Sequence, residues 1–239
     1  MAKHFQVDTG NTLTTGLISY YKEEDANDYY ASNNLTAVGG TSYVAAKINN
    51  GASFDGSGDY QKGGDVMDFD QGDSWSISCW VKRNETGASG GLVTKYDDVN
   101  DKGWAVYFNS GNGIRVFMNS SATNGYQRVT NNTFTDTTSY HHVVATYNGS
   151  TKAQTIWYDG DSKTLTDERT NLSAATTNAI EFNIGAFNNG SFADINAIID
   201  EVGVWGKVLS STEIADLYNS GNGQTMVDTV TSGNFFQVF

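Results

Sequence analysis

Between two runs that read as strands lies Tyr96-Asp97-Asp98-Val99-Asn100-Asp101-Lys102-Gly103-Trp104, which gathers carboxylates, an amide and two aromatic rings in one short loop. Sugars are bound by such groups, because hydroxyls take planar bidentate partners and the faces of sugar rings stack on aromatic rings. Asp97, Asp98, Asp101 and Trp104 are therefore candidate glycan-binding residues, joined by Asn112 of the Gly111-Asn112-Gly113 turn. The plainer alternative is that Trp104 packs in the core and that Asn112, like Asp159, is simply a turn residue. Loops rich in Asp, Asn and Gly also supply the oxygens that calcium takes, about six to eight of them. Nucleophilic chemistry has less support. The histidines are His4, His141 and His142, and the last two lie inside a strand-like run where a hydrogen-bonded structural histidine is the default. Cys79 is the single cysteine, so no intrachain disulfide forms, and its place in an apolar series reads as a buried small hydrophobe. There is no H-E-x-x-H, no zinc-type cysteine spacing, no P-loop and no G-x-G-x-x-G after a strand.

The elements that must position these groups are mostly strands. The chain has no proline, 26 glycines, and Thr, Tyr, Phe and Val in short runs broken by Gly, Asn and Asp. Trp75, Ile77, Cys79 and Val81 share one face of a strand, as do Val143, Ala145 and Tyr147. Val106-Tyr107-Phe108 and Ile114-Arg115-Val116-Phe117 read as a hairpin about Asn112. One helix is predicted near the end. Ser210 and Glu213 form a capping box, Ile214, Leu217 and Tyr218 make an apolar stripe, and Gly221 suits a left-handed C-terminal cap. Fourteen Lys and Arg stand against 27 Asp and Glu, a net charge of -13, which repels nucleic acid and anionic membranes. No apolar run has the length of a signal peptide or a membrane span. The seven N-x-S/T matches are read as ordinary surface residues of an Asn-, Ser- and Thr-rich chain.

Ile198-Ile199-Asp200-Glu201-Val202-Gly203-Val204-Trp205, followed by Lys207, Leu209 and Ser210 to Tyr218, resembles the closing signature of laminin-G-like jelly rolls in the concanavalin A-like superfamily. Gly16 to Tyr21 resembles that family's opening strand, and Asn50 to Gly56 with Asp59-Tyr60 its G-x-A-x-F-D-G-x-x-D-Y turn. Trp75 to Lys82, Tyr140 to Gly149 and Tyr158-Asp159-Gly160 resemble three further blocks, in family order. The resemblance implies an all-β fold: a two-sheet antiparallel jelly-roll sandwich over residues 14–222 with one short C-terminal-side helix. Residues 1–13 are then an N-terminal arm and 223–239 an apolar tail. It further implies a structural calcium held by Asp28, Asn33, Asn34 and Asp200, with Glu201 facing the other way. The superfamily also includes glucanases with an E-x-D-x-x-E motif. The nearest stretch here, Glu23-Glu24-Asp25-Ala26-Asn27-Asp28, ends in Asp and follows the opening strand, while Asp200 and Glu201 would point to opposite faces.

The function expected from these residues is that of a non-enzymatic, lectin-like surface module, a decoration or adhesion protein of a virion or similar assembly that binds glycans. The alternatives are a free carbohydrate-binding lectin and, remotely, a glycoside hydrolase. Phe235, Phe236 and Phe239 are the expected assembly contacts, to a scaffold protein or in a homo-oligomer, with no nucleic acid and no membrane insertion. Without a signal peptide the chain is expected to be made in the cytosol and to reach a virion surface or the extracellular space after release.

Overall fold

The computed structural model describes residues 12–226, so Phe235, Phe236, Phe239 and His4 lie outside the described residues. In chain order the strands are β1 (Leu17–Tyr21), β2 (Thr36–Val38), β3 (Ser42–Ala45), β4 (Asn50–Asp55), β5 (Tyr60–Lys62), β6 (Trp75–Arg83), β7 (Gly90–Asp97) and β8 (Lys102–Phe108). They continue as β9 (Ile114–Ser121), β10 (Asn124–Thr130), β11 (His141–Tyr147), β12 (Gln154–Tyr158), β13 (Asp161–Ser162), β14 (Leu165–Thr170), β15 (Asn183–Ile184) and β16 (Asn196–Trp205). One α-helix, α1 (Ser211–Tyr218), follows.

The strands form two antiparallel sheets. The first runs β13-β12-β11-β6-β16-β4-β3 with β1 also paired to β16, and the second runs β14-β10-β9-β8-β7-β15-β5-β2. This is the expected jelly-roll sandwich. Alternation along each strand sends every second side chain between the sheets. Trp75, Ile77, Cys79 and Val81 of β6 meet Trp104, Val106 and Phe108 of β8 and Ile114, Val116 and Met118 of β9 in one continuous core. Trp75 and Trp104 sit with ring centroids 5.3 Å apart, and both touch Phe69. The tryptophan N–H groups are satisfied inside that core, with Trp104 Nε1 donating to the Met67 carbonyl at 2.9 Å.

A second, smaller cluster covers the outer face of the first sheet. Helix α1 lays Ile214 and Leu217 against Trp205, Tyr20 and Leu13, and Met226 joins them, so the packed body reaches slightly beyond the 14–222 read from sequence. The capping box forms as predicted, with Ser210 Oγ accepting from Glu213 N–H. The left-handed residue that ends the helix is Asn219 (φ 48°), not Gly221, which turns two residues later at φ 87°. Asn tolerates that conformation better than other non-glycine residues. Among the described residues no helix is long and apolar enough to cross a membrane.

His141 and His142 serve the fold. The His142 ring bonds Ser78 Oγ at 2.8 Å, and burial holds it neutral, its pKa pushed down to about 3. His141 places Nδ1 2.7 Å from Asp159 and Nε2 3.1 Å from Asp136, clamping the loop after β10 to the β12–β13 turn. Two ionised carboxylates can only accept, so the doubly protonated imidazolium suits this place. Hydrogen bonding to Asp159 raises the His141 pKa; burial opposes the rise, and both carboxylate charges add to it. A raised folded-state value means that the stabilisation is complete below about pH 6.5 and is lost as pH rises through the higher folded value. The expected outcome is that His141→Asn destabilises by about 1 kcal/mol or more at pH 5.5 and by much less at pH 8.5. Urea unfolding at the two pH values checks this, and an equal loss at both would rule out the charged clamp.

Candidate functional site

The alternation that puts Trp104, Val106, Ile114, Val116 and Met118 into the core turns Ala105, Tyr107, Arg115, Phe117 and Asn119 onto the other face of the second sheet. Those outward positions are not a plain solvated surface. Tyr96, Ala105, Tyr107, Phe117 and Phe187 form their own buried cluster, in which Phe187 meets Tyr107 edge-on at 5.1 Å and Tyr96 edge-on at 5.8 Å. The cluster is the floor of a cleft of about 300 Å³, whose rim carries Asp101, Arg115, Asn119, Gln127, Arg169 and Phe192.

Strand register explains the rim. Phe117 of β9 pairs with Gln127 of β10, and Gln127 pairs with Arg169 of β14, which sets a ring, an amide and a guanidinium side by side across three strands. The facing wall comes from residues 185–195, where Phe187 and Phe192 bridge and their rings stack at 4.9 Å. Phe192 is 40% exposed, an unusual state for a large apolar ring among the described residues. Asp98 ties this wall to the β7–β8 turn by accepting from Asn188 Nδ2 and from Ser191 Oγ.

The polar groups of the cleft are arranged in fixed pairs. Tyr96 donates its hydroxyl to Asp101, and Gln127 Nε2 donates to Asn119 Oδ1 at 3.0 Å. Arg115 donates to the Tyr107 hydroxyl and to Glu168, each at 2.6 Å. Burial, with Asp101 adding to it, keeps the Tyr96 phenol far above its ordinary value, and burial likewise raises Tyr107, so both are neutral at physiological pH. Arg169 Nη1 is shielded from solvent and has no hydrogen-bond partner. Aromatic faces beside amide, hydroxyl and guanidinium groups are the lining that sugar hydroxyls and ring faces require.

The structure distributes the sequence candidates unevenly. Asp101 lines the cleft and Asp98 fastens its wall. Asp97 caps its own turn, accepting from Val99 and Asn100 N–H, while Asn112 takes Arg83 and Gly87 at the other end of the hairpin. Trp104, expected at the sugar site, is 1% exposed and belongs to the core, because its place in β8 points it between the sheets. Tyr107, Arg115, Gln127, Arg169 and Phe192 are not among the sequence candidates. The available signal is the apolar and aromatic character of β8 and β9 on both faces, visible in Trp104 to Phe108 and Ile114 to Asn119.

A second group of buried polar side chains lies where β16 changes partners. Its residues 196–199 pair with β4 and residues 202–205 with β1, and between them the register against β6 shifts. Glu201 takes a left-handed φ of 52° there, and Glu23, two residues beyond Tyr21 and also left-handed at 58°, comes opposite. Glu23, Asp200 and Glu201 are all buried. Asp200 Oδ2 accepts from Ile48 N–H at 2.7 Å and Glu201 accepts the Tyr20 hydroxyl. Asp200 Oδ1, Glu201 Oε1 and both Glu23 oxygens have no partner. Burial first, and the neighbouring carboxylate charges next, lift Glu23 and Glu201 well above the carboxylate range; burial lifts Asp200 to about 7. The Gln61 side chain works against the rise at Glu23.

Asp28, Asn33 and Asn34 are differently employed. The Asp28 carboxylate accepts N–H groups from Tyr20, Tyr30, Ala31 and Asn33, the Asn34 amide oxygen accepts from Asp28 N–H, and Asn33 Nδ2 donates to Ser19. These bonds shape the loop after β1 and engage the Asp28 carboxylate and the Asn34 amide oxygen, two of the groups that the sequence reading assigned to a cation. When ionised, the unpartnered oxygens of Glu23, Asp200 and Glu201 would be acceptors of the kind a hard cation takes. Among the described residues, no three His, Cys, Asp or Glu side chains are already gathered in ligand geometry.

Comparison with known proteins gives the same fold. No curated protein matches the sequence significantly. Among solved structures, the binding domain of Paraclostridial Mosquitocidal Protein 1 superposes with a TM-score of 0.70 at 16% identity, covering 88% of this chain and 53% of that one. The binding domain of botulinum neurotoxin serotype G gives 0.66 at 14% identity, over 84% of this chain and 50% of that one. This chain thus spans about half the length of those toxin binding domains. Domain 4 of AbnA, a GH43 extracellular arabinanase of Geobacillus stearothermophilus solved with arabinotriose, gives 0.64 at 16% identity, over 87% of this chain and 98% of that domain. The laminin-G family model of the concanavalin A-like lectin/glucanases superfamily matches residues 55–215, from the end of β4 into α1. That match spans more than half of the chain, which belongs to the concanavalin A-like lectin/glucanases superfamily as a laminin-G-like domain.

Proposed function

We propose that this domain is a non-enzymatic carbohydrate-binding module whose sugar site is the cleft on the outer face of the second sheet. The observation that carries the reading is the cleft itself, with an exposed Phe192 above a floor of buried aromatic rings and a rim of amide, phenol and guanidinium groups. An arabinanase domain of the same fold solved with a bound trisaccharide supports a sugar as the ligand class. Glycoside hydrolysis needs two carboxyl groups facing one another across a cleft, whereas Asp101 is the single acid among the described lining residues and already accepts the Tyr96 hydroxyl. Display of the cleft on a virion or other assembly through Phe235, Phe236 and Phe239 is the finer part of the same proposal. Deletion of Phe235 to Phe239 then abolishes incorporation and leaves sugar binding intact. Phe192→Ala is expected to weaken sugar binding about threefold to tenfold while the chain stays folded, with a melting temperature lowered by no more than a few degrees, since its ring is the exposed member of the stacked pair. Titration of the variant against the best sugar from a glycan array checks this, and unchanged affinity would move the site elsewhere.

A structural calcium belongs to this proposal as a tie across the β16 seam. Glu23, Asp200 and Glu201 would hold it, with backbone carbonyls or water completing the shell, and its charge would let all three carboxyls ionise inside the fold. Without a cation, acids whose folded values are raised destabilise the native state as pH rises from about 4, the unfolded value, through about 7, where Asp200 titrates. In chelator the melting temperature is therefore expected to fall between pH 5 and pH 8. Calcium should restore it at pH 8 by binding only the folded state, and Glu23→Gln should remove most of the calcium response. A melting temperature at pH 8 that is indifferent to calcium would eliminate the cation.

A further inference from the structure

We propose that the cleft selects sugars that carry a carboxylate, with the Arg169 guanidinium as the group that receives it; the inference rests on the sugar-site reading above. Arg169 stands in Asp167-Glu168-Arg169 on β14, an outermost strand of the second sheet. Its two acidic neighbours are committed to other cations: Asp167 to Arg128 at 2.7 Å and Glu168 to Arg115 at 2.6 Å. Among the described residues no carboxylate makes an ion pair with Arg169 itself, in a chain where acids outnumber bases by 27 to 14. An arginine left unpaired amid such an excess of acid, with Nη1 out of solvent and without a partner, keeps a desolvated donor in the cleft wall. The planar guanidinium fork matches a carboxylate in two parallel bonds, which a neutral hydroxyl does not supply.

The register supplies the spacing. Phe117, Gln127 and Arg169 occupy adjacent strands, each about 4.8 Å from the next, so about 10 Å separates the aromatic floor from the base of the guanidinium. That span admits one pyranose ring over Phe117 and Tyr107 with a ring carboxylate directed past Gln127 to Arg169. Arg115 is not the receiver, because both of its terminal nitrogens are engaged by Tyr107 and Glu168. Asp101 lies beside Tyr96, whose hydroxyl it accepts. Uronic acids and sialic acids share the required carboxylate, and the experiment separates them.

The test is calorimetric titration of the full chain with tetragalacturonate and its methyl ester, and with sialyllactose and lactose. At least one acid should bind about tenfold or more tightly than its neutral counterpart, a preference that shrinks with added salt. Arg169→Gln should erase that preference, lowering the affinity for the acid far more than the affinity for its neutral counterpart and leaving the melting temperature unchanged, and Arg169→Lys should retain part of it. Acid and neutral sugars bound equally by the wild type, or a preference that survives Arg169→Gln, overturns the inference while the sugar site stands. Sugars on a glycan array that bind only in a Phe192-independent way, or no binding to any of them, overturns the sugar-site reading and this inference with it.

Discussion

Everything else in the molecule depends on the contact between Trp75 of the first sheet and Trp104 of the second, closed in by Phe69, Phe182 and Tyr147. Side chains alternate along a strand, so fixing Trp104 inward fixes Ala105 and Tyr107 outward, and the pairing of β8 with β9 then does the same for Arg115, Phe117 and Asn119. A slip of one residue would exchange the two sets and put Arg115 into the core. The cleft is therefore a by-product of core packing. Its floor is backed on the opposite face of the same strands by Trp104 packed against Trp75, so a ligand resting there would meet side chains already ordered by the core.

The seam in β16 follows from a different constraint. A ten-residue strand whose one edge is shared by two shorter strands must pass through a gap where neither pairs it, and backbone and side-chain polar groups collect there. The bulge at Asp200 and Glu201 resolves the backbone but brings two carboxylates next to Glu23. A fully apolar seam would pack as well, so the buried acids have no packing rationale. Protons or a cation must balance them, and which one does so is set by pH and metal rather than by the fold.

The strands and the capping box are legible in the sequence because each rests on local spacing: period two in Trp75 to Val81, the three-residue step from Ser210 to Glu213, the turn at Gly111-Asn112-Gly113; the two-sheet sandwich is legible only through the ordered blocks that resemble the laminin-G-like family. The sites are much less legible. The cleft draws Tyr96, Tyr107, Arg115, Gln127, Arg169 and Phe192 from separated segments that only sheet pairing unites. Residues that share a loop, such as Asp97, Asp98, Asp101 and Trp104, are dispersed by the same pairing to a turn cap, a wall tether, the cleft and the core. Asp200 and Glu201 read as opposite-facing in a regular strand. A left-handed non-glycine residue is a tertiary outcome that no propensity announces.

The distribution of charge bears on how such a cleft would choose its ligand. With a net charge of -13 the surface repels extended polyanions, whose many charges must approach outside the cleft as well as in it. A short ligand with one carboxylate would meet that repulsion once and would recover it at Arg169, whose Nη1 is shielded from solvent and has no partner. Attraction at one strand position and repulsion spread over the whole surface would then act together, and discrimination would come from their difference rather than from the strength of either.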